Sequence, residues 1–307
     1  MIDRNSIGNS AAFIAAILFG ASVVATRVAV GSIPPLSLAF LRFGQGGLIL
    51  LFSLLILRPG LLRIKLSDLP YLALLGVILF AIFPVTFNVG LKFTEASRGA
   101  LMLATLPLWS AWLARIAKSE RLILRQVGGI ILTLSAVAVV LAERGLAWQG
   151  GSWALVGDLL MLLTAICGAF YGVLAQKMLK KYNAITVTTY AMLTGTCLLI
   201  PAAFVEGLSQ AVTKIDLQAA SLILFLGICG GALGYFLWTF ALACLTPTQV
   251  AVYINLNPMV ATILGAALLA EKLTLVFIAG FVAVLIGVLL VNWPTKIVTE
   301  PLPDASS

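Results

Sequence analysis

A succession of ten apolar segments, joined by short connections, constrains the fold of this chain more than any other feature. A helix needs about 20 apolar residues to cross the roughly 30 Å of hydrocarbon in a bilayer. The segments are continuously apolar and do not alternate with period two, which favours membrane-spanning helices over barrel strands. The sequence therefore predicts an all-α integral membrane protein with spans at residues 10–30, 36–57, 69–90, 98–115, 126–142, 153–175, 185–205, 219–243, 248–269 and 275–293.

Composition supports this class and excludes several kinds of chemistry. The chain is 62% hydrophobic and 10% charged, against about 25% charged residues in an ordinary soluble domain. It contains no histidine, which excludes histidine metal sites and Ser-His-Asp catalysis. The four cysteines lie in or beside apolar runs without metal-ligand spacing, so we interpret them as small core residues: Cys167, Cys197, Cys229 and Cys244. We expect no cofactor and no metal.

The basic residues indicate how the chain is oriented. With the amino terminus inside, twelve of the 19 lysines and arginines fall on the cytoplasmic side and seven on the opposite side. This bias follows the positive-inside rule, so both termini are predicted to be cytoplasmic. The net charge of +8 is scattered between spans and forms no basic face with interleaved aromatics. The expected partners are therefore the lipid bilayer and a small-molecule substrate, and not nucleic acid.

The second half of the chain repeats the first. A shift of 151 residues carries Pro107 onto Pro258 without a gap. The same shift carries the pair Glu120-Arg121 onto the pair Glu271-Lys272. Apolar matches alone mean little in a chain rich in Leu, Ala and Val, whereas a proline and a Glu-basic pair in register indicate duplication.

Each repeat contains five spans, an odd number, so the second repeat enters the membrane from the opposite face. Two inverted halves are a common plan of secondary transporters, whose substrates bind near the midplane between the halves. We predict a first five-helix repeat at 1–148, a second at 149–295, and a disordered cytoplasmic tail at 296–307. The alternative interpretation is a duplicated structural bundle that transports nothing.

These features resemble the drug/metabolite transporter superfamily, specifically its EamA-type branch. The resemblance covers about residues 8–295 and rests on Gly20, Pro34-Pro35, Leu41-Arg42-Phe43, the connection from Leu91 to Ala100, Pro107 with Ser119-Glu120-Arg121, and the copies Pro258 and Ala270-Glu271-Lys272. Within the branch the chain most resembles the YddG-type exporters of aromatic and other apolar amino acids. The resemblance implies export across a bacterial inner membrane and identifies no individual substrate residue.

Charged groups at membrane depth are costly and therefore mark functional sites. None of the eleven carboxylates lies near the centre of a span, so a drug antiporter built on a mid-membrane glutamate is not expected. Arg42 opens the second span and has two possible roles: its side chain reaches the outer interface, or it attracts a substrate carboxylate. Without a carboxylate or histidine that titrates near neutral pH, we expect facilitated diffusion and not obligatory proton antiport.

Amide and aromatic residues of the ninth span form the first part of a candidate site. Gln249, Tyr253 and Asn257 follow one another at i, i+4 and i+8, which predicts one helical stripe. Polar groups on a lipid face would leave donors unpaired, so the stripe is expected to face the bundle. It either binds substrate or joins helices through amide hydrogen bonds.

The remaining candidates follow from depth in the membrane. Trp238 lies as far before the turn at residues 245–246 as Tyr253 lies after it, so both are expected at one depth. Phe87 and Met102 flank the turn at residues 94–95 in the same way. Further aromatic side chains for the same cavity come from three other positions: Phe19, Phe83 and Tyr171.

A cavity with large apolar walls, polar amides and no buried carboxylate suits a neutral or zwitterionic metabolite with an apolar side chain. We therefore predict a non-enzymatic secondary transporter that exports amino acids, with aromatic and other apolar ones favoured, by alternating access. The alternatives are transport of nucleotide sugars, sugar phosphates or amphipathic drugs, a channel, and a membrane enzyme that modifies lipid. The expected assembly is a monomer or a weak homodimer.

Overall fold

The computed structural model describes residues 3–94, 96–117, 120, 122–143, 152–213, 215–269 and 274–293. Within these ranges every regular element is a helix and no strand is present, in agreement with the predicted all-α class. The predictions for Arg121, Glu271, Lys272 and the tail 296–307 concern residues outside these ranges.

Helices of different lengths follow one another along the chain: α1 (Arg4–Ala29), α2 (Pro35–Leu57), α3 (Leu69–Gly76), α4 (Phe83–Phe93), α5 (Ala96–Ala104), α6 (Leu106–Ile116), α7 (Leu124–Glu143), α8 (Ser152–Leu179), α9 (Ala184–Glu206), α10 (Leu208–Val212), α11 (Leu217–Phe225), α12 (Gly234–Cys244), α13 (Pro247–Ala251), α14 (Asn257–Leu269) and α15 (Leu275–Asn292). Local chemistry fixes several of their ends. The Asp216 side chain accepts from the N–H of Ala219 at 2.7 Å and starts α11. Gly207 adopts a left-handed conformation and ends α9.

Seven helical stretches in the described part of the chain are long and apolar enough to cross a membrane: Arg4–Thr26, Pro35–Leu57, Leu66–Gly90, Trp153–Leu179, Ala184–Glu206, Leu217–Cys244 and Leu275–Asn292. A shorter apolar helix covers Leu124–Val140. The two other predicted spans, 98–115 and 248–269, are each divided into shorter helices.

Two of the long stretches contain π-helical segments at matching positions. Val77–Ile82 joins α3 to α4, and Leu226–Leu233 joins α11 to α12. The shift of 151 residues carries the end of the first segment onto the end of the second. π turns widen the helix locally and are frequent at functional sites. The third and eighth predicted spans therefore share one deviation from α-helical geometry.

The fourth and ninth predicted spans are interrupted beside their prolines. Thr105 separates α5 from α6, and a 3-10 segment at Val252–Leu256 separates α13 from α14. Pro107 and Pro258 are the second residues of the new helices, where a missing N–H removes no helical hydrogen bond. These two breaks also lie at equivalent positions under the 151-residue shift.

α7 and α15 contact each other at two places, and the 151-residue shift relates a residue of α7 at each place to a residue of α15 at the other. A methyl group on Gly129 of α7 would lie 2.7 Å from the carbonyl oxygen of Gly287 in α15. A methyl group on Gly280 of α15 would lie 3.5 Å from the carbonyl oxygen of Ala136 in α7. The shift carries Gly129 onto Gly280 and Ala136 onto Gly287. Small residues thus let α7 and α15 approach closely through two related contacts.

We call the end of the bundle that carries Arg4 the N-terminal end. The Arg4 guanidinium donates to the carbonyl oxygen of Ala243 at 2.7 Å, which ties the start of α1 to the end of α12. The Lys181 ammonium lies 2.8 Å from the Asp68 carboxylate and links the segment before α3 to the α8–α9 turn. Polar contacts between helix ends and connecting segments therefore stabilise the N-terminal end of the bundle.

The opposite end carries the α1–α2 turn and the end of α9. The Glu206 carboxylate accepts hydrogen bonds from the N–H groups of Leu36 and Ser37 at 2.6 and 2.9 Å. Asn88 of α4 donates to the carbonyl oxygen of Pro35 at 3.1 Å. The start of α2 is thus held by α9 on one side and by α4 on the other.

Candidate functional site

A cavity of about 280 Å³ lies between α1, α2, α4 and α12 and runs from the opposite end to the middle of the bundle. Near the opposite end it is lined by the partly exposed residues Thr26, Val30 and Pro35. Its inner part is lined by Tyr235 and Asn257, which are both buried. Exposure falls from the opposite end inward, so a solute reaches this cavity from the opposite end.

Aromatic rings form the inner wall of the cavity. The Phe19 ring centroid lies 4.8 Å from that of Tyr235 and 6.0 Å from that of Trp238. Phe83 and Phe87 stack nearly parallel at 6.3 Å on α4. All five side chains line the cavity. They offer ring faces and edges against which an aromatic or aliphatic group packs favourably.

Few polar groups interrupt this apolar lining. Among the described lining residues, Arg42 is the only one with a charged side chain. Its Nη2 donates to the carbonyl oxygen of Gly230 at 3.1 Å, whereas Arg42 Nε and Asn257 Oδ1 are buried without a hydrogen-bond partner. Two side chains of the lining, Arg42 and Asn257, thus each keep a polar atom without a hydrogen-bond partner.

Five of the nine residues predicted for the site line the cavity together. They come from α1, α4, α12 and α14, which are far apart in sequence: Phe19, Phe83, Phe87, Trp238 and Asn257. Of the four residues placed by counting from the turns, Phe87 and Trp238 line the cavity, whereas Met102 and Tyr253 do not.

Gln249 and Tyr253, two residues of the ninth span that were predicted for the site, form hydrogen bonds at the N-terminal end of the bundle instead. Gln249 and Thr246 form a capping box at the start of α13, in which the Thr246 N–H donates to Gln249 Oε1 at 3.1 Å. The Tyr253 hydroxyl donates to Asn9 Oδ1 at 3.0 Å and joins this segment to α1. Neither side chain lines the cavity.

The prediction of one α-helical stripe through Gln249, Tyr253 and Asn257 is wrong. The 3-10 segment Val252–Leu256 advances three residues per turn where an α-helix advances 3.6. Residues on either side of it therefore rotate away from a common face. Only Asn257, after the segment, faces the cavity.

Met102 and Tyr171 also lie outside the cavity lining. The Tyr171 side chain is fully buried, and its hydroxyl hydrogen-bonds the Thr239 hydroxyl at 2.9 Å between α8 and α12. The carbonyl oxygen of Met102 accepts from the Thr105 hydroxyl at 2.6 Å, at the break between α5 and α6. Both residues stabilise helix contacts and breaks next to the site.

Tyr235 and Phe43 belong to the aromatic wall, although neither was predicted to line it. Their ring centroids lie 5.6 Å apart in an edge-to-face contact. A signal was present for each of them. Tyr235 precedes Trp238 by three residues, which is one helical turn, and Phe43 directly follows Arg42.

Two helices of the second half are joined at the N-terminal end of the bundle. Gln176 Nε2 of α8 donates to the carbonyl oxygens of Leu242 and Leu245 at 2.6 and 3.3 Å. These carbonyls belong to the end of α12, where the helix has no donors of its own to offer them. α8 therefore holds the α12–α13 turn in place.

Glu120 adds a charged contact at the same end. Its carboxylate accepts from the N–H of Thr248, in the first turn of α13, at 3.1 Å. Burial raises the pKa of Glu120 above its usual range, although the hydrogen bonds from Thr248 act in the other direction. Glu120 thus caps a short helix at the closed end of the bundle.

Known proteins share this chain's sequence over most of its length. A protein of Archaeoglobus fulgidus named "uncharacterized transporter" is 30% identical over 275 residues, which are 89% of this chain and 94% of that protein. The transporter YyaM of Bacillus subtilis is 29% identical over 89% of each chain. A "probable terminal-alkyne amino-acid exporter" of Streptantibioticus cattleyicolor is 28% identical over 76% of each chain.

A solved crystal structure of a protein resembles the fold. It superposes with a TM-score of 0.78 at 17% identity and covers 93% of this chain and 96% of that chain. At this identity the likeness concerns the fold alone.

The model of the EamA-like transporter family matches the sequence twice, over residues 6–142 and 155–293. These two ranges contain all the residues that line the cavity. The resemblance seen in the sequence motifs is thereby confirmed at the level of the family. The chain belongs to the EamA-like transporter family.

Proposed function

We propose that this protein is a secondary transporter that exports amino acids, with aromatic and other apolar ones favoured, by alternating access. The observation that carries the proposal is the cavity itself. It combines an aromatic wall with one cation and one free amide oxygen, and it is accessible from one end of the bundle. A site of this composition suits a small zwitterion with an apolar side chain.

The relatives support the transport part of this proposal. Their names identify them as transporters, and that of the Streptantibioticus protein specifies export of a terminal-alkyne amino acid. An amino acid is also the class of substrate that we propose for this chain. Assignment to the YddG type, which the sequence motifs resemble, forms part of the proposal.

The proposed architecture is ten membrane helices in two inverted five-helix repeats, at 1–148 and 149–295. The paired π segments, the paired breaks at Thr105 and Val252–Leu256, and the exchanged α7–α15 contacts support it. The two matches to the family model support the same division. Inverted repeats place the substrate between the halves, at helices that are not continuous.

The proposed orientation relates the two ends of the bundle to the two sides of the membrane. With both termini in the cytoplasm of a bacterial cell, the cavity faces the periplasm and the N-terminal end forms the closed cytoplasmic gate. Opening that gate requires the Tyr253–Asn9 hydrogen bond to break, because it joins α1 of the first half to the segment between α13 and α14 of the second half.

The composition of the cavity disfavours the alternative substrates. A sugar phosphate carries about two negative charges, but the described lining offers a single cation, Arg42. An amphipathic cation would require a carboxylate, and none lines the cavity within the described residues. We therefore propose a carrier of zwitterions in preference to a carrier of phosphates or drugs, and in preference to a lipid-modifying enzyme.

The test is uptake of radiolabelled amino acids into proteoliposomes that contain the full chain, with protein-free liposomes as the control. We expect saturable uptake of phenylalanine and leucine and slower uptake of glycine and lysine. Monodisperse protein that transports none of these would overturn the proposal. A reporter fused after Lys296 tests the orientation: cytoplasmic fluorescence without periplasmic phosphatase activity agrees with it, and the reverse contradicts it.

A further inference from the structure

The cavity wall contains a buried donor and a buried acceptor that no described residue satisfies. They are Arg42 Nε and Asn257 Oδ1. Buried polar atoms are nearly always hydrogen-bonded, and leaving one unpaired is costly. Both atoms belong to side chains that line the same cavity, so one ligand in the cavity is able to satisfy both of them.

The Arg42 guanidinium is held so that one edge remains unused. Nη2 donates to the carbonyl oxygen of Gly230, and the guanidinium carbon lies 5.2 Å from the Phe43 ring centroid. Gly230 allows this approach, since a methyl group there would lie 2.9 Å from Nη2. No described carboxylate pairs with Arg42. A cation at membrane depth without a counter-ion is costly, which favours an anionic group of the ligand at this position.

Asn257 offers the complementary chemistry. It is 7% exposed and is the first residue of α14, directly after the 3-10 segment. Its free Oδ1 is an acceptor, and the described lining contains no carboxylate that would hold a cationic group of the ligand more strongly. Asn257 therefore carries a buried acceptor without a partner, as an ammonium group requires.

Both residues lie close to α1. A methyl group on Gly20 would lie 3.0 Å from the carbonyl oxygen of Asn257. A methyl group on Gly230 would overlap the Ser22 hydroxyl and would lie 2.9 Å from Arg42 Nη2. Gly20 and Ser22 are two residues apart, a rise of about 3 Å along the helix. Arg42 and Asn257 thus lie beside the same turn of α1, and both line the cavity.

From this juxtaposition, and resting on the proposed function, we propose that Arg42 and Asn257 form an α-amino-acid subsite. Arg42 Nε–H donates to the substrate carboxylate, and Asn257 Oδ1 accepts from the substrate ammonium. The side chain then points to the aromatic wall of Phe19, Trp238 and Tyr235. Both charged groups of the zwitterion are recognised, and side chains are distinguished only by size and apolar contact.

The test is competition against bound tritiated phenylalanine on the detergent-purified full chain. The competitors are phenylalanine, phenylalaninamide, which lacks the carboxylate, and 3-phenylpropionate, which lacks the ammonium. Losing a charge-assisted hydrogen bond lowers affinity about ten- to hundredfold. We therefore expect both analogues to compete at least tenfold more weakly than phenylalanine on the wild-type protein. Equal competition by either analogue overturns the subsite, and this arm needs no variant.

Variants assign each group to its residue. Arg42→Gln should bring phenylalanine and phenylalaninamide to nearly equal affinity, while Asn257→Ala should do so for phenylalanine and 3-phenylpropionate. Arg42→Lys replaces Arg42→Gln if the latter is not monodisperse, and it should weaken phenylalanine more than its amide. The controls Arg58→Gln and Asn183→Ala change exposed residues away from the cavity and should keep the wild-type ratios.

The outcomes separate the subsite from the function. If phenylalanine is transported but its preference over both analogues is unchanged in both variants, the subsite is wrong and the proposed function stands. If phenylalanine binds with the expected dependence on Arg42 and Asn257 but is not transported, the subsite stands and the proposed function fails. Monodisperse wild-type protein that binds no phenylalanine contradicts both.

Discussion

Neighbouring glycines of α7 provide a direct test of the helix packing. A methyl group on Gly129 would lie 2.7 Å from the carbonyl oxygen of Gly287 and 2.8 Å from Val291 Cγ2. Both distances are far below the about 3.5–4.0 Å optimum for such contacts. At Gly128 nothing lies within 4 Å of the same methyl position. One helix thus offers a crowded and an open glycine side by side.

The magnitudes follow from two opposing effects. Alanine in place of a mid-helix glycine gains about 1 kcal/mol of helix propensity at either position. Overpacking costs about 1–3 kcal/mol, and only Gly129→Ala incurs it. We expect Gly128→Ala to stabilise the protein by up to about 1 kcal/mol and Gly129→Ala to be about 1–3 kcal/mol less stable than Gly128→Ala.

The assay is reversible unfolding of both variants in the same mixed micelles, followed by tryptophan fluorescence, with a thermal scan as a second probe. Because both changes are Gly→Ala in one helix, differences in the unfolded state largely cancel. If Gly129→Ala is as stable as Gly128→Ala, then α7 and α15 do not approach each other as described. The exchanged contacts would then lose their support for the inverted repeat.

Three further predictions concern the site and its gate. Trp238→Ala should lower transport of aromatic amino acids relative to small ones by about two- to tenfold, while Trp112→Ala, at an exposed position outside the cavity, should leave the ratio unchanged in the same uptake assay. Burial raises the pKa of Glu120, so the folded state binds the proton more tightly than the unfolded state does. The melting temperature of the wild type relative to that of Glu120→Gln should therefore fall as the pH rises from about 4 to 7. A difference in melting temperature that does not change with pH contradicts this. Uptake should continue without an imposed pH gradient, as expected for facilitated diffusion, and strict dependence on that gradient contradicts this.

Hydropathy and spacing were sufficient to predict the helical membrane class and most helix positions. The predicted spans at 10–30, 36–57 and 185–205 correspond closely to α1, α2 and α9. The same patterns do not reveal the π segments at Val77–Ile82 and Leu226–Leu233, because one extra residue per turn leaves an all-apolar stretch apolar on every face. Local helix geometry was thus the part of the fold that hydropathy does not encode.

The sequence predicts how far along its helix a side chain lies, but it does not predict the side to which a 3-10 segment turns that side chain. Trp238 was placed by its distance from a turn, and π or 3-10 geometry changes such a distance little. Tyr253 was misplaced because the 3-10 segment rotates it toward Asn9. Gln249 was misplaced although the Thr246-x-x-Gln249 pattern is itself a capping-box signature that the sequence displays.

Counterflow tests the central claim, that this protein is an amino-acid carrier, most directly. Proteoliposomes are loaded with unlabelled phenylalanine, diluted into a trace of labelled phenylalanine, and compared with vesicles loaded with buffer alone. A carrier with one site that alternates between the two sides accumulates label transiently above its equilibrium level when phenylalanine is inside. We predict this overshoot for the wild-type protein and its loss in Arg42→Gln. Equal uptake into loaded and empty vesicles, without an overshoot, would contradict the account.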